Sequence, residues 1–480
     1  MWLSSSLLAA AVGATERPNV LFIPVDDLRA ELGCYGAEYI HSPHIDRLAQ
    51  GGTVFLRAYC QQAVCSPSRT SLMTGLRPDS TQVYDLQTHF RTHVPDVVTL
   101  GQHFRQNGYY CVSMGKIYHG GYDDPPTWSE PARRPTSGAG YVTEENLQIM
   151  AERRAEAKQR GLTGIALSRA SRGNATEMAD VPDNAYTDGA IAELGVEALR
   201  ELKDRDEPFF LAVGFLKPHL PFNAPQRYWD LYDPEKIELA ANPFPPKNVT
   251  PFSLTNWGEL RNYADMPAQG DLTEEQARHL KHGYYACVSF VDANVGKLLD
   301  ELDRLGLADN TIVVLWGDHG WKLGEHNSWC KHTNFENDTH APLIIRAPGQ
   351  KAAGSKTRAL VEFVDIYPTL CDLAGLDKPD HLEGTSAAPL MDDPDQPWKA
   401  AAFSQYPRGP VMGYSMRTDR YRFTVWKHRK TRQIEATELY DHHSDPAETE
   451  NIAGDADQAE LVQSLLTQLN EGWQAVHRNR

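Results

Sequence analysis

The sequence predicts an α/β fold with a mostly parallel central sheet flanked by helices, followed by a smaller α+β domain that carries an antiparallel sheet. Four short apolar runs, typical of strands buried on both faces, each end in polar residues. Helical segments separate the runs, and such alternation indicates a parallel sheet. The runs are 20–25, 109–114, 209–215 and 311–316, and the helical segments are 46–51, 97–107, 188–205 and 274–305.

The chain begins with MWLSSSLLAAAVGA, and these residues (1–14) have the apolar centre and small-residue end of a signal peptide. We therefore expect a secreted or periplasmic protein, or a cytoplasmic one if this segment is not a signal. No apolar run reaches the roughly 18 residues that span a bilayer, so we expect no membrane span. The large α/β domain is assigned to residues 17–394 and the C-terminal domain to 395–480.

Two polar stretches, 123–182 and 233–267, are predicted to be long loops that cap the functional edge of the sheet, or else solvated insertions. The first contains a charged helical segment near 144–160. In the C-terminal domain a stripe of apolar residues with a spacing of four predicts one final helix. The predicted C-terminal strands are 401–406, 411–418 and 421–426, and the stripe is Leu461, Leu465, Leu469 and Trp473.

The chain of 480 residues carries a net charge of −17, which disfavours nucleic acid and anionic membranes as partners. An anionic substrate would therefore need a local cationic pocket. The seven cysteines form no CxxC pair, so a thiolate zinc site is not expected. An odd number of cysteines fits an oxidising compartment if one cysteine is chemically converted and the other six remain available to pair. The number alone does not decide this.

Polar residues follow each of the four apolar runs. Because ligands bind beyond the carboxyl ends of parallel strands, these residues are expected to converge on one edge of the sheet; the alternative is four strand-ending turns. Carboxylates gathered there would repel one another unless a cation lay among them, and oxygen ligands suit calcium or magnesium. The residues concerned are Asp26, Asp27, Lys116, His219, Asp318 and His319.

Residues 65–69 read Cys-Ser-Pro-Ser-Arg, a C-x-P-S-R motif, and TSLMTGLRP follows. This stretch resembles the activation signature of the type I sulfatases of the alkaline-phosphatase superfamily. The resemblance implies that a formylglycine-generating enzyme oxidises Cys65 to Cα-formylglycine. The hydrate of that aldehyde would attack sulfur through one hydroxyl, activated by the cation, and release sulfate through the other.

The same resemblance implies a divalent cation, calcium or alternatively magnesium, bound by Asp26, Asp27, Asp318 and the formylglycine at position 65. His319 completes the implied set. Many members of the family have asparagine at this place, and histidine occurs in the iduronate-2-sulfatase-like branch.

Further roles are implied residue by residue. By the resemblance, Arg69 would hold the hydrate and its charge. It lies four residues after Cys65 on a predicted helix, so the two side chains would share a face. Lys116 and Lys331 would bind the sulfate group, with His119 as the base for sulfate release and His219 as the acid that protonates the departing alcohol. Without the resemblance, these residues would be interpreted as turn caps, structural histidines or surface lysines.

The run GDHGWKLGEH at 317–326 and the KPHLPF run at 217–222 place the resemblance nearest the iduronate-2-sulfatase-like branch. The implied substrate is a sulfated carbohydrate, specifically a sugar 2-O-sulfate of the glycosaminoglycan type. The alternatives are a choline sulfatase, a phosphomonoester or phosphonate hydrolase, and a glycan-binding protein without activity. The intact C-x-P-S-R motif argues against a phosphatase, because phosphatases of this fold use an unmodified serine or threonine.

Overall fold

A computed structural model describes residues 17–478, so the predicted signal segment lies outside the described residues. The strands are β1 (Asn19–Val25), β2 (Thr53–Phe55), β3 (Ala58–Tyr59), β4 (Tyr110–Gly115), β5 (Thr176–Ala179), β6 (Phe209–Gly214), β7 (Phe222–Pro225), β8 (Thr311–Gly317), β9 (Lys322–Leu323), β10 (Trp329–Cys330), β11 (Leu343–Arg346), β12 (Ser355–Thr357), β13 (Val361–Glu362), β14 (Ala401–Arg408), β15 (Val411–Thr418), β16 (Tyr421–His428) and β17 (Ile434–Asp441).

Helices alternate with the strands of the large domain, and two more helices follow the strands of the C-terminal domain. They are α1 (Pro43–Gly51), α2 (Cys65–Thr74), α3 (Pro78–Thr81), α4 (Leu100–Gln106), α5 (Glu144–Gln159), α6 (Gly164–Ala170), α7 (Thr187–Leu202), α8 (Gln226–Trp229), α9 (Glu274–Arg304), α10 (Glu336–Thr339), α11 (Ile366–Leu373), α12 (Ala459–Glu471) and α13 (Trp473–Arg478). None of the helices in the described range is both long and apolar enough to cross a membrane.

The central sheet has seven strands in the order β12-β2-β11-β8-β1-β6-β4. Only β11 runs antiparallel to its neighbours β8 and β2, so the predicted mostly parallel sheet is confirmed. The four strands predicted from apolar runs, β8, β1, β6 and β4, are consecutive neighbours in the sheet, with β4 at its edge. Their carboxyl ends therefore meet at one edge.

Alternating residues of β1 enter two separate cores. Leu21 and Ile23 pack on one face of the sheet, and Val20 and Phe22 pack on the other. Helices α1, α7 and α9 cover the first face, while α2, α4 and α11 cover the second. Both faces of the sheet are thus buried, which explains why the sequences of these strands are continuous apolar runs.

The C-terminal domain contains the predicted antiparallel sheet, in the order β14-β15-β16-β17, with α12 packed on it through Leu465. The prediction of one final helix was wrong. Gly472 adopts a φ of 74°, which favours glycine and ends α12, so Trp473 begins the separate helix α13. Strand β17 was not predicted, because its first half is polar and partly exposed.

Strand β14 also fixes the chain that leads into α2. The Gln405 N–H donates to the carbonyl of Gln61 at 2.7 Å, and the Ser404 hydroxyl donates to the carbonyl of Cys60 at 2.6 Å. The small domain therefore holds the loop that precedes Cys65. All seven cysteines are buried free thiols, so no pairing of the remaining six is formed.

We predict that Leu211→Ala, in the middle of β6, lowers the free energy of unfolding by about 2–5 kcal/mol, because Leu211 is fully buried and the change leaves a cavity. The matched control is Leu147→Ala on α5, where the side chain is 50 % exposed and the expected change is within about 0.5 kcal/mol. Urea unfolding measures both. Equal losses in the two variants would contradict the placement of β6 in the core.

Candidate active site

The carboxyl ends of the central strands bring together the polar residues predicted to converge. Asp26 and Asp27 follow β1, and Asp318 follows β8. Their backbones remain tied to neighbouring strands, since the Asp26 N–H donates to Phe215 O at 3.1 Å and the Asp318 N–H donates to Val25 O at 3.2 Å. Asp26 and Asp318 are therefore held at the end of the sheet by backbone hydrogen bonds.

Cys65 is the first residue of α2 and is 3 % exposed. Its Sγ lies 3.4 Å from Nε2 of His319. Burial and the carboxylate of Asp26 raise the pKa of the Cys65 thiol well above its ordinary value. Because the thiolate is the nucleophilic form of cysteine, the unmodified side chain is a poor nucleophile at neutral pH.

Arg69 bridges two carboxylates from its position one helical turn after Cys65. Its Nε donates to Asp318 Oδ2 at 2.8 Å and its Nη2 donates to Asp26 Oδ1 at 3.2 Å, with the guanidinium fully buried. Burial alone would raise the pKa of Asp26. The electrostatic effect of Lys116, His219 and Arg69 is larger than this effect of burial, and it holds the pKa of Asp26 well below its usual range.

Two lysines approach the same group of carboxylates. Lys116 Nζ forms an ion pair with Asp26, and Lys331 Nζ lies 3.0 Å from both carboxylate oxygens of Asp27. Lys331 also lies 4.7 Å from the centre of the Trp321 ring, so its position is fixed on two sides. The three predicted cationic residues therefore surround the acidic cluster.

His319 is oriented as a ligand. Its Nδ1 lies 2.9 Å from the carbonyl oxygen of Gly320, and a carbonyl requires a donor there. This contact places the proton of a neutral ring on Nδ1 and leaves the lone pair on Nε2, the tautomer that can bind a metal. Nε2 faces Asp27 Oδ1 at 3.4 Å and Asp318 Oδ1 at 3.6 Å.

The donor set fits a hard divalent cation. Three carboxylates dominate it, and oxygen ligands suit calcium or magnesium. Asp27 has a φ of 59°, a left-handed conformation that costs a non-glycine residue roughly 1–2 kcal/mol, and its side chain points into the cluster. Ligand atoms lie within 4.8 Å of one another in two overlapping groups, Asp26, Cys65, Asp318 and His319, and Asp26, Asp27, Cys65 and His219.

His219 has acceptors at both ring nitrogens. Nδ1 lies 2.6 Å from Leu220 O, and Nε2 lies 2.9 Å from Glu259 Oε1. A carbonyl and a carboxylate both accept, so only a ring protonated at both nitrogens satisfies both contacts. An N–H at either ring position of His219 therefore has an acceptor within hydrogen-bonding distance.

Sequence reasoning missed Glu259. Its carboxylate bridges His219 and Lys331, with Oε2 at 2.9 Å from Lys331 Nζ. Burial opposes ionisation here, but Lys331 and His219 hold the pKa of Glu259 well below its usual range. The only signal in the sequence was its place in the 233–267 stretch, which was predicted to cap this edge.

His119 lies at the wall of a cavity of about 710 Å³, together with Lys116, His219 and Glu259. Its buried Nδ1 has no hydrogen-bond partner among residues 17–478. Burial and the charge of Lys116 lower the pKa of His119 to about 4. The ring is therefore neutral at pH 7 and can accept a proton.

Comparisons with known proteins agree on one family. The Sulfatase family pattern matches residues 18–376, and the pattern for the C-terminal part of N-sulphoglucosamine sulphohydrolase matches residues 324–475. Iduronate 2-sulfatase of Homo sapiens is 35% identical to the chain, over 95% of this chain and 94% of that protein.

Two solved structures share the fold. The structure of BT4656 in complex with its substrate D-glucosamine-2-N,6-O-disulfate has a TM-score of 0.75 at 24% identity, covering 97% of this chain and 99% of that one. The phosphonate monoester hydrolase of Agrobacterium radiobacter has a TM-score of 0.73 at 26% identity, covering 96% of each chain.

We predict that Arg69→Met, measured with a chelator present, lowers the free energy of unfolding by about 3–5 kcal/mol, because it leaves two buried carboxylates without their shared partner. The matched control is Arg47→Met, which breaks an exposed ion pair to Asp300 and should cost less than about 1 kcal/mol. Chemical unfolding at pH 7 gives both values. A loss at Arg69 no larger than at Arg47 would refute this role.

Proposed function

The chain belongs to the sulfatase family, and we propose that it hydrolyses an O-sulfate ester of a carbohydrate with a formylglycine formed from Cys65 and a divalent cation. The observation that carries the proposal is the placement of Cys65. The residue of the C-x-P-S-R motif begins α2 at the point where the acidic cluster and the side-chain cations meet. A formylglycine hydrate would supply the nucleophile that the neutral thiol does not.

Calcium, or alternatively magnesium, is the proposed cation, held by Asp26, Asp27, Asp318, His319 and the modified side chain at position 65. When bound, it supplies the positive charge that lowers the pKa of a hydroxyl in contact with it. Arg69 would hold Asp26 and Asp318 in place during this chemistry, since its guanidinium already contacts both.

The charge of the pocket supports an anionic substrate. The carboxylates of Asp26, Asp27, Asp318 and Glu259 offset the charges of Arg69, Lys116 and Lys331. A bound divalent cation would give the pocket a positive charge within a chain of net charge −17. Lys116 and Lys331 approach the acidic cluster from different strands and loops, so their ammonium groups could contact one sulfate group from two sides. They are the proposed sulfate-binding groups.

The two histidines suit opposite proton transfers. His219, whose two ring nitrogens both face acceptors, is the proposed acid that protonates the departing alcohol oxygen. His119, neutral at pH 7, is the proposed base for the release of sulfate. Glu259 is proposed to orient His219, because it accepts from Nε2, the nitrogen that faces the acidic cluster.

Sulfated carbohydrate is the proposed substrate class because iduronate 2-sulfatase is 35% identical over nearly the full length of both chains. A sugar 2-O-sulfate is the proposed position. A phosphonate or phosphate monoester is the second candidate, since a phosphonate monoester hydrolase shares the fold at 26% identity. Choline-sulfatase of Rhizobium meliloti is more distant, at 28% identity.

We predict that protein made with a formylglycine-generating enzyme loses about 18 Da at the Cys65 peptide, the change from thiol to aldehyde. Such protein should release sulfate from sulfated mono- and disaccharides, and Cys65→Ala should abolish that release. The control is Cys371→Ala, a buried cysteine of α11 that lies outside the site. Full activity of Cys65→Ala, or faster turnover of an aryl phosphate than of an aryl sulfate, would overturn the proposal.

We predict that calcium raises the melting temperature of metal-free protein and that Asp318→Asn removes most of this rise, because ligand binding to the folded state stabilises it. The control is Asp206→Asn, an exposed carboxylate in the loop before β6. Calcium titration followed by differential scanning fluorimetry measures the effect. An unchanged calcium response in Asp318→Asn would place the ion elsewhere.

A further inference from the structure

Lys331 lies between two residues with a left-handed backbone. Cys330 has a φ of 71° and His332 has a φ of 93°, and these values are unfavourable for residues other than glycine. Such conformations persist only where the surrounding structure fixes them. Asp27 and Glu259 hold the ammonium end of Lys331, but they do not contact its backbone. The strained segment, residues 330–332, therefore needs support of its own.

The start and the middle of the strained segment are held by neighbouring strands. Strand β10 pairs with β9, so that Cys330 lies opposite Lys322. The carbonyl oxygen of His332 accepts a hydrogen bond from Nη2 of Arg408, the last residue of β14, at 2.5 Å. Neither contact reaches Thr333, the residue at which the strained segment ends.

Thr333 is held by a buried ion pair. Its N–H donates to Asp338 Oδ2 at 2.8 Å, and its hydroxyl donates to the same carboxylate. The Nζ of Lys322 donates to Thr333 Oγ1 at 2.8 Å and to Asp338 Oδ1 at 2.5 Å. Lys322 is thus placed on both sides of the strained segment, through its backbone opposite Cys330 and through its ammonium group at Thr333.

The segment that carries Asp338 also touches two other parts of the site. The Gly320 N–H, next to His319, donates to the carbonyl oxygen of Asp338 at 2.8 Å. The Cys60 N–H, in the loop before α2, donates to the carbonyl oxygen of Thr339 at 2.9 Å. The ion pair therefore lies where the segments of His319, Lys331 and the loop that leads to Cys65 meet.

Stability alone is a weak explanation for this ion pair. The side chains of Lys322 and Asp338 are at most 1 % exposed. Removing two charges from water costs free energy that their attraction often fails to recover, so apolar residues of similar volume would stabilise the fold as well. The geometry around Thr333 supplies a different reason for the pair, because apolar side chains could not accept from the Thr333 N–H or donate to its hydroxyl oxygen.

We propose that Lys322 and Asp338 are positioning residues, which hold the backbone of residues 330–333 so that the ammonium group of Lys331 faces the acidic cluster. Both side chains are buried behind the site, so they act through Lys331 and not on the substrate. This inference rests on the proposed function, in which Lys331 binds the sulfate group.

The test is the double variant Lys322→Met/Asp338→Ala, which removes both charges together and leaves neither one buried without its partner. Its kcat/KM for sulfate release should fall about tenfold, because a displaced ammonium group loses a hydrogen bond to a charged group. In protein that already carries Lys331→Met, the same double change should lower kcat/KM by less than about twofold, because residues that act through one another are not additive.

A milder variant, Thr333→Val, keeps the ion pair and the shape of the side chain but removes the hydroxyl. Its kcat/KM should fall about threefold, and again only where Lys331 is present. This variant decides the question if the double variant does not fold. The matched control is Lys297→Met, which breaks the ion pair between α9 and Asp183 and should leave kcat/KM within about twofold in both backgrounds.

Hydrogen exchange measures the positioning without turnover. In the double variant the backbone amides of residues 330–333 should exchange about tenfold faster than in the parent protein, while those of β6 stay unchanged. Equal losses of kcat/KM with and without Lys331, or unchanged exchange at residues 330–333, would overturn the positioning role. Absence of sulfate release from the parent protein would instead refute the proposed function, and the exchange rates would still decide whether the pair holds this segment.

Discussion

The structure depends on three carboxylates that the central sheet forces together. Asp26 and Asp27 follow β1, Asp318 follows the adjacent strand β8, and all three are at most 1 % exposed. Buried like charges at this spacing repel one another strongly. Arg69, Lys116 and Lys331 offset that repulsion, and a divalent cation bound among the oxygens would complete the balance.

This constraint explains why the proposed chemistry is centred on α2. The helix carries Cys65 at its first position and Arg69 one turn later, so one element presents both the C-x-P-S-R motif and the guanidinium that pairs with Asp26 and Asp318. Strand β14 of the small domain secures the preceding loop at Gln61 and Cys60. The C-terminal domain therefore contributes to the site by positioning, although its own residues form no part of the acidic cluster.

Much of this arrangement was predictable because its signals are local. Apolar runs that end in polar residues mark β1, β4, β6 and β8, since both faces of those strands are buried. Glu259 was not predictable as a partner of His219, because their contact depends on how a long irregular insertion folds back over the sheet. The break at Gly472 was missed for a related reason: a regular apolar stripe continues in the sequence after the helix has ended.

The most direct test is an anomalous difference map from crystals of the formylglycine-containing protein grown with calcium. The account predicts one strong peak with ligand oxygens of Asp26, Asp27 and Asp318 at about 2.3–2.6 Å, together with the side chain at position 65. A second acidic group, Glu336, His442 and Glu448, is already neutralised by Arg417 and Arg422 and should bind no ion. A peak there, with none at the end of β1, would contradict the central claim.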